Sequence, residues 1–194
     1  MTIETREMSR EVSPFTVREE NGDRYVEGYF ARFDDTYDMG WGVTESIDRH
    51  AFDSSIHDDV RVLVNHDTTK VIGRTAAKTA EIRVDDVGLW GSAKINPADT
   101  DAMNAAARLE RGDVTGASFG FEIRKIEREY DESKGTIHRI LKDVRLLEIS
   151  VCTFPAYQKT NVGVREEDRA SAREEIRAWR ENRENRLKKL KKEE

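Results

Sequence analysis

The 194-residue chain is long enough for one compact domain with an appendage and too short for two large domains. Charged residues make up 37% of it, and no apolar run approaches the roughly 18 residues that a membrane-spanning helix needs. The formal net charge of -6 argues against a nucleic-acid-binding protein, which normally neutralises phosphates with a basic surface, so we expect neither a membrane nor a nucleic-acid partner.

Composition divides the chain into three segments. The polar residues 1–23 predict a flexible N-terminal segment, and residues 24–164 have the patterns of one folded domain. Residues 165–194 contain 11 basic and 9 acidic residues without glycine or proline, which predicts a charged helical tail. A thin apolar stripe along this tail suits either a surface helix or a docking helix for a larger assembly, and the sequence leaves both open.

Within the central segment, apolar residues mostly alternate, as in strands with one buried face. Two helical patterns interrupt the strands: a short one over 46–55 and an amphipathic one between Asn96-Pro97 and Gly112. The inventory predicts a mainly β (α+β) fold, an antiparallel β-barrel with a few surrounding helices. In chain order, the strand patterns cover 24–33, 60–64, 81–84, 89–95, 114–126 and 137–153.

The first candidate for chemistry is Ser118, which lies between two glycines in Gly116-Ala117-Ser118-Phe119-Gly120. This G-x-S-x-G pattern also occurs in the nucleophile elbow of α/β-hydrolases, but the elbow needs a helix directly after the serine. Here the alternation of apolar and polar residues continues after Ser118, as in a strand, which argues against an esterase. Ser118 would share a strand face with both glycines, where a substrate backbone can approach, unless the glycines only mark a bend or bulge.

A serine hydroxyl is a weak nucleophile without a general base and a group that orients that base. Of the four histidines, His66 ends the strand over 60–64 and shares the inward parity of its alternate valines. Glu148 interrupts an apolar run, where an ionised carboxylate is costly unless it is paired. Asp143 is the rival acid, and a purely structural role for His66 and Glu148 stays open.

Six blocks of the sequence, in one order between residues 24 and 165, resemble the tailed-phage (Caudovirales) prohead or procapsid maturation protease family. The resemblance implies a serine endopeptidase related in fold to herpesvirus assemblin, with His66 as general base and Ser118 as nucleophile. The third member of such triads varies, and we choose Glu148 because it lies in the matching strand after the serine. The resemblance also places the oxyanion donors in the loop 154–160. The blocks cover residues 28–33, 45–52, 64–74, 86–89, 111–121 and 147–157.

The resemblance further implies a protease that cleaves the scaffold segment of the major capsid protein, and itself, during head assembly. Its partners would be that capsid protein and its scaffold segment, with the portal protein and a second copy of the chain left open. We expect it in the host cytoplasm and then inside the procapsid, without metal or other cofactor. The alternative is a non-catalytic internal scaffold protein with the same fold. Hydrogen-bond reach between Ser118 and His66 would favour the protease, and separation onto opposite faces would favour the scaffold.

Overall fold

The computed structural model describes residues 3–8, 15–33, 35–153 and 166–190. Eleven strands and two helices lie in these ranges. The helices are α1 (Thr100–Arg111) and α2 (Glu166–Leu190). The strands are β1 (Glu4–Met8), β2 (Thr16–Glu20), β3 (Asp23–Arg32), β4 (Tyr37–Gly40), β5 (Val43–Ile47), β6 (Arg61–Val64), β7 (Asp67–Arg74), β8 (Ala80–Val84), β9 (Gly88–Ile95), β10 (Gly116–Asp131) and β11 (Thr136–Cys152).

The long antiparallel hairpin of β10 and β11 is the centre of a seven-stranded sheet. β1 pairs antiparallel with β10 on its other side. β11 pairs in parallel with β5 near its start and with β6 near its end, and β4 and β7 extend from these two strands. The remaining strands form a four-stranded sheet in the order β2-β3-β9-β8.

The two sheets pack against each other through one apolar core. Phe30 and Leu89 of the smaller sheet share this core with Phe119 and Ile149 of the larger one, all at most 1% exposed. The sheets approach so closely that a methyl group at Gly91 would overlap the Ile149 side chain. This packing fixes the larger sheet, and therefore the strands that carry the candidate site.

The predicted mainly β fold with helices is confirmed, but the predicted closed antiparallel barrel is wrong for the part of the chain that the structure describes. The two sheets there stay separate and open, and β11 has parallel partners. At 17 residues, β11 is long enough to pair with two short strands along one edge. The short helix expected over 46–55 is also wrong, because Ser46 and Ile47 pair with β11 as part of β5 and turns follow.

The first and last described elements, β1 and α2, both contact the larger sheet. β1 and β2 lie within the N-terminal segment that we expect to be flexible. α2 packs on β4 and β5, where Ala172 and Ile176 are buried in a second, smaller apolar cluster with Met39, Val43 and Ile137. The division at residues 23 and 164 stays a prediction. Neither described helix is long and apolar enough to span a membrane.

Candidate active site

Ser118 lies on β10 directly opposite Ser150 of β11, and Gly120 lies opposite Glu148. Residues directly opposite each other in an antiparallel pair project from the same face of the sheet. Ser118, Ser150 and Glu148 therefore share one face. β10 continues as a strand to Asp131, so the helix that a nucleophile elbow requires does not follow Ser118, and the esterase alternative is excluded.

Gly120 leaves the space that the Glu148 carboxylate occupies. A methyl group at Gly120 would overlap Oε1 of Glu148. The second glycine of the pattern is thus explained by close packing next to the carboxylate, not by a left-handed backbone, since Gly120 is not among the positive-φ glycines.

His66 lies in the turn between β6 and β7, next to the end of β11. Asn65 and His66 have φ values of 53° and 58°, the left-handed conformations of a two-residue type I′ hairpin turn. The strand ends at Val64, so the expectation that His66 continues its inward parity is wrong. The turn is held against β11 instead, because the Asn65 N–H donates to Val151 O at 2.9 Å.

The turn brings His66 to Glu148. Nδ1 of His66 lies 2.7 Å from Oε1 of Glu148, and the exposed fractions of the two side chains are 17% and 11%. When the carboxylate is ionised it can only accept, so Nδ1 carries the proton and Nε2 is left as the basic nitrogen. Nε2 lies 3.8 Å from Sγ of Cys152, two residues beyond Ser150 on β11. His66 and Glu148 thus have the arrangement in which an acid orients a general base.

The Ser118 hydroxyl is on the same face but is engaged elsewhere. It is completely buried and donates to the Arg6 carbonyl of β1 at 2.9 Å rather than bonding to His66. β1 runs along β10 here, with Glu7 opposite Ser118. In the described arrangement Ser118 lies on the face that carries Glu148, the partner of His66, but its hydroxyl is bonded to Arg6, and this is not an attacking geometry.

Comparison with known proteins decides the family. The model of the caudovirus prohead serine proteases matches residues 13–175. The chain belongs to this family. The resemblance inferred from the six blocks is therefore confirmed, and two of the blocks contain Ser118 and His66.

The chain is similar to two phage proteins in particular. The prohead protease of Enterobacteria phage HK97 is 28% identical over 137 residues, which cover 70% of this chain and 57% of that protein. The match thus spans little more than half the length of this relative. The capsid assembly protease gp21 of bacteriophage T4 aligns over 78% of this chain and 99% of that chain, with a TM-score of 0.45 and 12% identity. Similarity at that level carries no argument about activity.

In this prohead protease family member, a buried ion cluster holds β1 in place beside Ser118. Arg6 is 0% exposed and donates from Nε to Oε1 of Glu45, also 0% exposed, at 2.5 Å. Arg139 lies 3.3 Å from the other oxygen of Glu45. Burial raises the pKa of the neighbouring Tyr37 phenol. Sequence reasoning missed this cluster because a polar N-terminal stretch shows no strand periodicity that predicts burial.

The rival candidates lie outside the group around Ser118. Oδ1 of Asp143 accepts from the Ser54 hydroxyl at 2.5 Å, and the two nitrogens of His138 bond to Thr44 and Ser46, each at 2.9 Å.

The predicted oxyanion loop 154–160 lies outside the described residues. Among the residues that the structure describes, no three His, Cys, Asp or Glu side chains group so that they could hold a metal ion.

Proposed function

We propose that this chain is a prohead maturation endopeptidase with Ser118 as nucleophile, His66 as general base and Glu148 as the acid that orients the base. The observation that carries the proposal is the 2.7 Å contact between His66 Nδ1 and Glu148 Oε1, on the sheet face that carries Ser118. Family membership supports the choice of peptide bonds as substrate. The relation to herpesvirus assemblin stays a prediction.

The reaction begins when the Ser118 hydroxyl leaves the Arg6 carbonyl and comes within reach of His66 Nε2. Nε2 takes the hydroxyl proton as Oγ attacks the peptide carbonyl carbon, and the imidazolium then gives that proton to the leaving amine. Water enters, and His66 takes one of its protons as the water oxygen attacks the ester carbon. The imidazolium then returns that proton to Ser118 Oγ as the ester bond breaks, which releases the new carboxyl end and restores the Ser118 hydroxyl. Glu148 stabilises the imidazolium in both steps. We place the oxyanion donors in the loop 154–160.

The substrate is the scaffold segment of the major capsid protein, and the chain also cuts itself. Packaging inside the procapsid puts enzyme and substrate at high local concentration, so tight binding is not required. The capsid protein and its scaffold segment are then the main partners. The portal protein and a second copy of the chain stay open as further partners.

Co-expression with the cognate capsid protein tests this function. The parent should shorten the capsid protein, as read by intact mass, and Ser118→Ala should leave it at full length. Ser92→Ala is the matched control, since Ser92 is also buried but lies on β9 of the other sheet. Equal processing by the parent and Ser118→Ala would remove Ser118 from the mechanism. Head assembly without any processing by the parent would favour the scaffold alternative.

We propose that the end of the tail directs the chain into the assembling shell. The first half of α2 is packed on the sheet, whereas Leu187 and Leu190 are 46% and 56% exposed. Deleting residues 187–194 therefore tests targeting without removing the packed half. We expect fewer copies of the truncated chain per procapsid and unchanged cleavage of a peptide. Unchanged incorporation would contradict the proposal.

A further inference from the structure

We propose that Ser150 is a positioning residue of this site, whose hydroxyl holds the Glu148 carboxylate and the main chain of His66 in one arrangement. The inference rests on the proposed function, because it gives Ser150 a role in the same triad. Ser150 is 0% exposed and lies opposite Ser118, so its side chain is on the face that carries Ser118 and Glu148.

The hydroxyl of Ser150 makes two hydrogen bonds, and their directions are determined. The His66 main-chain N–H can only donate, and it donates to Ser150 Oγ at 3.2 Å. The hydroxyl proton is therefore available to Glu148, and Ser150 Oγ donates to Oε2 at 2.6 Å. A single hydroxyl thus joins the acid of the triad to the residue that carries the base.

The two oxygens of Glu148 have different partners, and this fixes the carboxylate. Oε1 contacts His66 Nδ1 and Oε2 accepts from Ser150. Bonds to both oxygens restrict rotation of the carboxylate about its last bond. The Ser150 bond also compensates part of the cost of an ionised side chain that is only 11% exposed. Without it, the carboxylate would lose a donor and could turn away from the imidazole.

The same hydroxyl acts on the turn that carries His66. Asn65 holds one side of this turn, through its N–H to Val151 O and through its side chain to Thr153, where Thr153 N–H donates to Oδ1 at 2.8 Å. Ser150 bonds the main chain of His66 itself, which has a left-handed φ that is uncommon for residues other than glycine. Loss of the hydroxyl would therefore loosen the acid and the base together.

The test compares Ser150→Ala with Ser150→Thr, which keeps the hydroxyl. Ser55→Ala is the matched control, because the Ser55 hydroxyl is also buried and also makes two hydrogen bonds, to Val144 O at 2.7 Å and from Leu146 N at 3.1 Å. Steady-state cleavage of a peptide across a range of pH, thermal unfolding and the NMR signal of the His66 Nδ1 proton are measured for each variant.

We expect Ser150→Ala to lower kcat about 10- to 100-fold with little change in KM, since a bond to a charged group is lost and no substrate contact is. Its pH–rate profile should differ from that of the parent, because the carboxylate that orients His66 has lost a donor. The Nδ1 proton signal should weaken or disappear. Ser150→Thr should restore most of kcat, and Ser55→Ala should lose stability without moving the pH profile.

A Ser150→Ala variant with the kcat, pH profile and Nδ1 signal of the parent would overturn the inference. A drop in kcat that Ser55→Ala matches, with an unmoved pH profile in both, would also overturn it, because it would indicate a structural role. If Ser150→Ala does not fold, Ser150→Cys carries the same comparison, since a thiol has a similar shape and is a weak donor. Full activity of Ser118→Ala is a separate result, which would overturn the proposed function.

Discussion

At the residue scale, the candidate site depends on small side chains next to charged ones. Gly120 gives Glu148 room, and Ser150 gives it a donor. Gly120 and Ser150 lie on the paired strands β10 and β11, within two residues of Ser118 and Glu148 respectively. The position of the Glu148 carboxylate is therefore set by two residues that take no part in the bond-forming and proton-transfer steps of the proposed reaction.

The first prediction concerns Gly120→Ala. The added methyl group would overlap Glu148 Oε1, so the carboxylate must move away from His66 and kcat should fall about tenfold or more. Peptide cleavage and thermal unfolding measure the effect. Gly73→Ala is the control: its methyl group would also be tightly packed, 3.0 Å from the Ala93 methyl group, but it would not touch Glu148. Activity of Gly120→Ala within twofold of the parent would contradict this account.

At the element scale, the β6–β7 hairpin positions His66 through its two ends. The turn end is held to β11 by Asn65 and Ser150. At the other end, Arg74 donates to both oxygens of Asp59, at 2.8 and 2.6 Å. A rigid hairpin with both ends fixed presents its turn residue in one place, as a general base requires.

The second prediction is the pH dependence of this ion pair. The hydrogen bond from Arg74 lowers the pKa of the Asp59 carboxyl below its usual 3.8. A folded-state pKa below the unfolded one means that the pair stabilises the protein above about pH 4 and loses this effect as pH falls through the lowered pKa. Asp59→Asn should therefore have a lower urea midpoint than the parent at pH 7, and the two midpoints should converge in acid. A difference that persists unchanged below pH 3 would show that the ion pair is not its source.

At the scale of the whole molecule, two apolar clusters hold the two sheets and α2 together. The larger cluster fills the space between the two sheets, and the smaller one holds α2 against β4 and β5. The first half of α2 is thus partly buried and its last turn is exposed. Mutations in these two parts should therefore differ in their effect on the free energy of unfolding.

The third prediction compares two positions on α2. Ile176 is 2% exposed in the smaller cluster, so Ile176→Ala should lower the free energy of unfolding by about 2 to 5 kcal/mol. Leu187 is 46% exposed, and Leu187→Ala should change it by no more than about 0.5 kcal/mol. Urea unfolding of both variants measures the difference. Equal effects would mean that the packing of the first half of α2 contributes little to stability.

Local patterns in the sequence determined six of the eleven described strands, the amphipathic helix and the motif blocks that contain Ser118 and His66. Alternation of apolar and polar residues predicts β3, β6, β8, β9, β10 and β11. This is possible because a strand that buries one face shows that pattern in its own residues. The helix between Asn96 and Gly112 is equally local, with Asp99 as N-cap and Gly112 in a left-handed C-cap. Glu148 is a candidate for the same reason, as a carboxylate in an apolar run, and the family resemblance led to its proposed role in the triad.

Only the tertiary structure decided which strands meet. Alternation specifies which face of a strand is buried but not which edge supplies its hydrogen bonds, so the parallel partners of β11 and the pairing of β1 were not foreseen. The contacts of Ser118 with Arg6, and of Ser150 with Glu148 and His66, follow from those pairings. The contacts of Ser118 with Arg6 and of Ser150 with His66 join residues far apart in the chain, and local sequence patterns carry no information about such pairs.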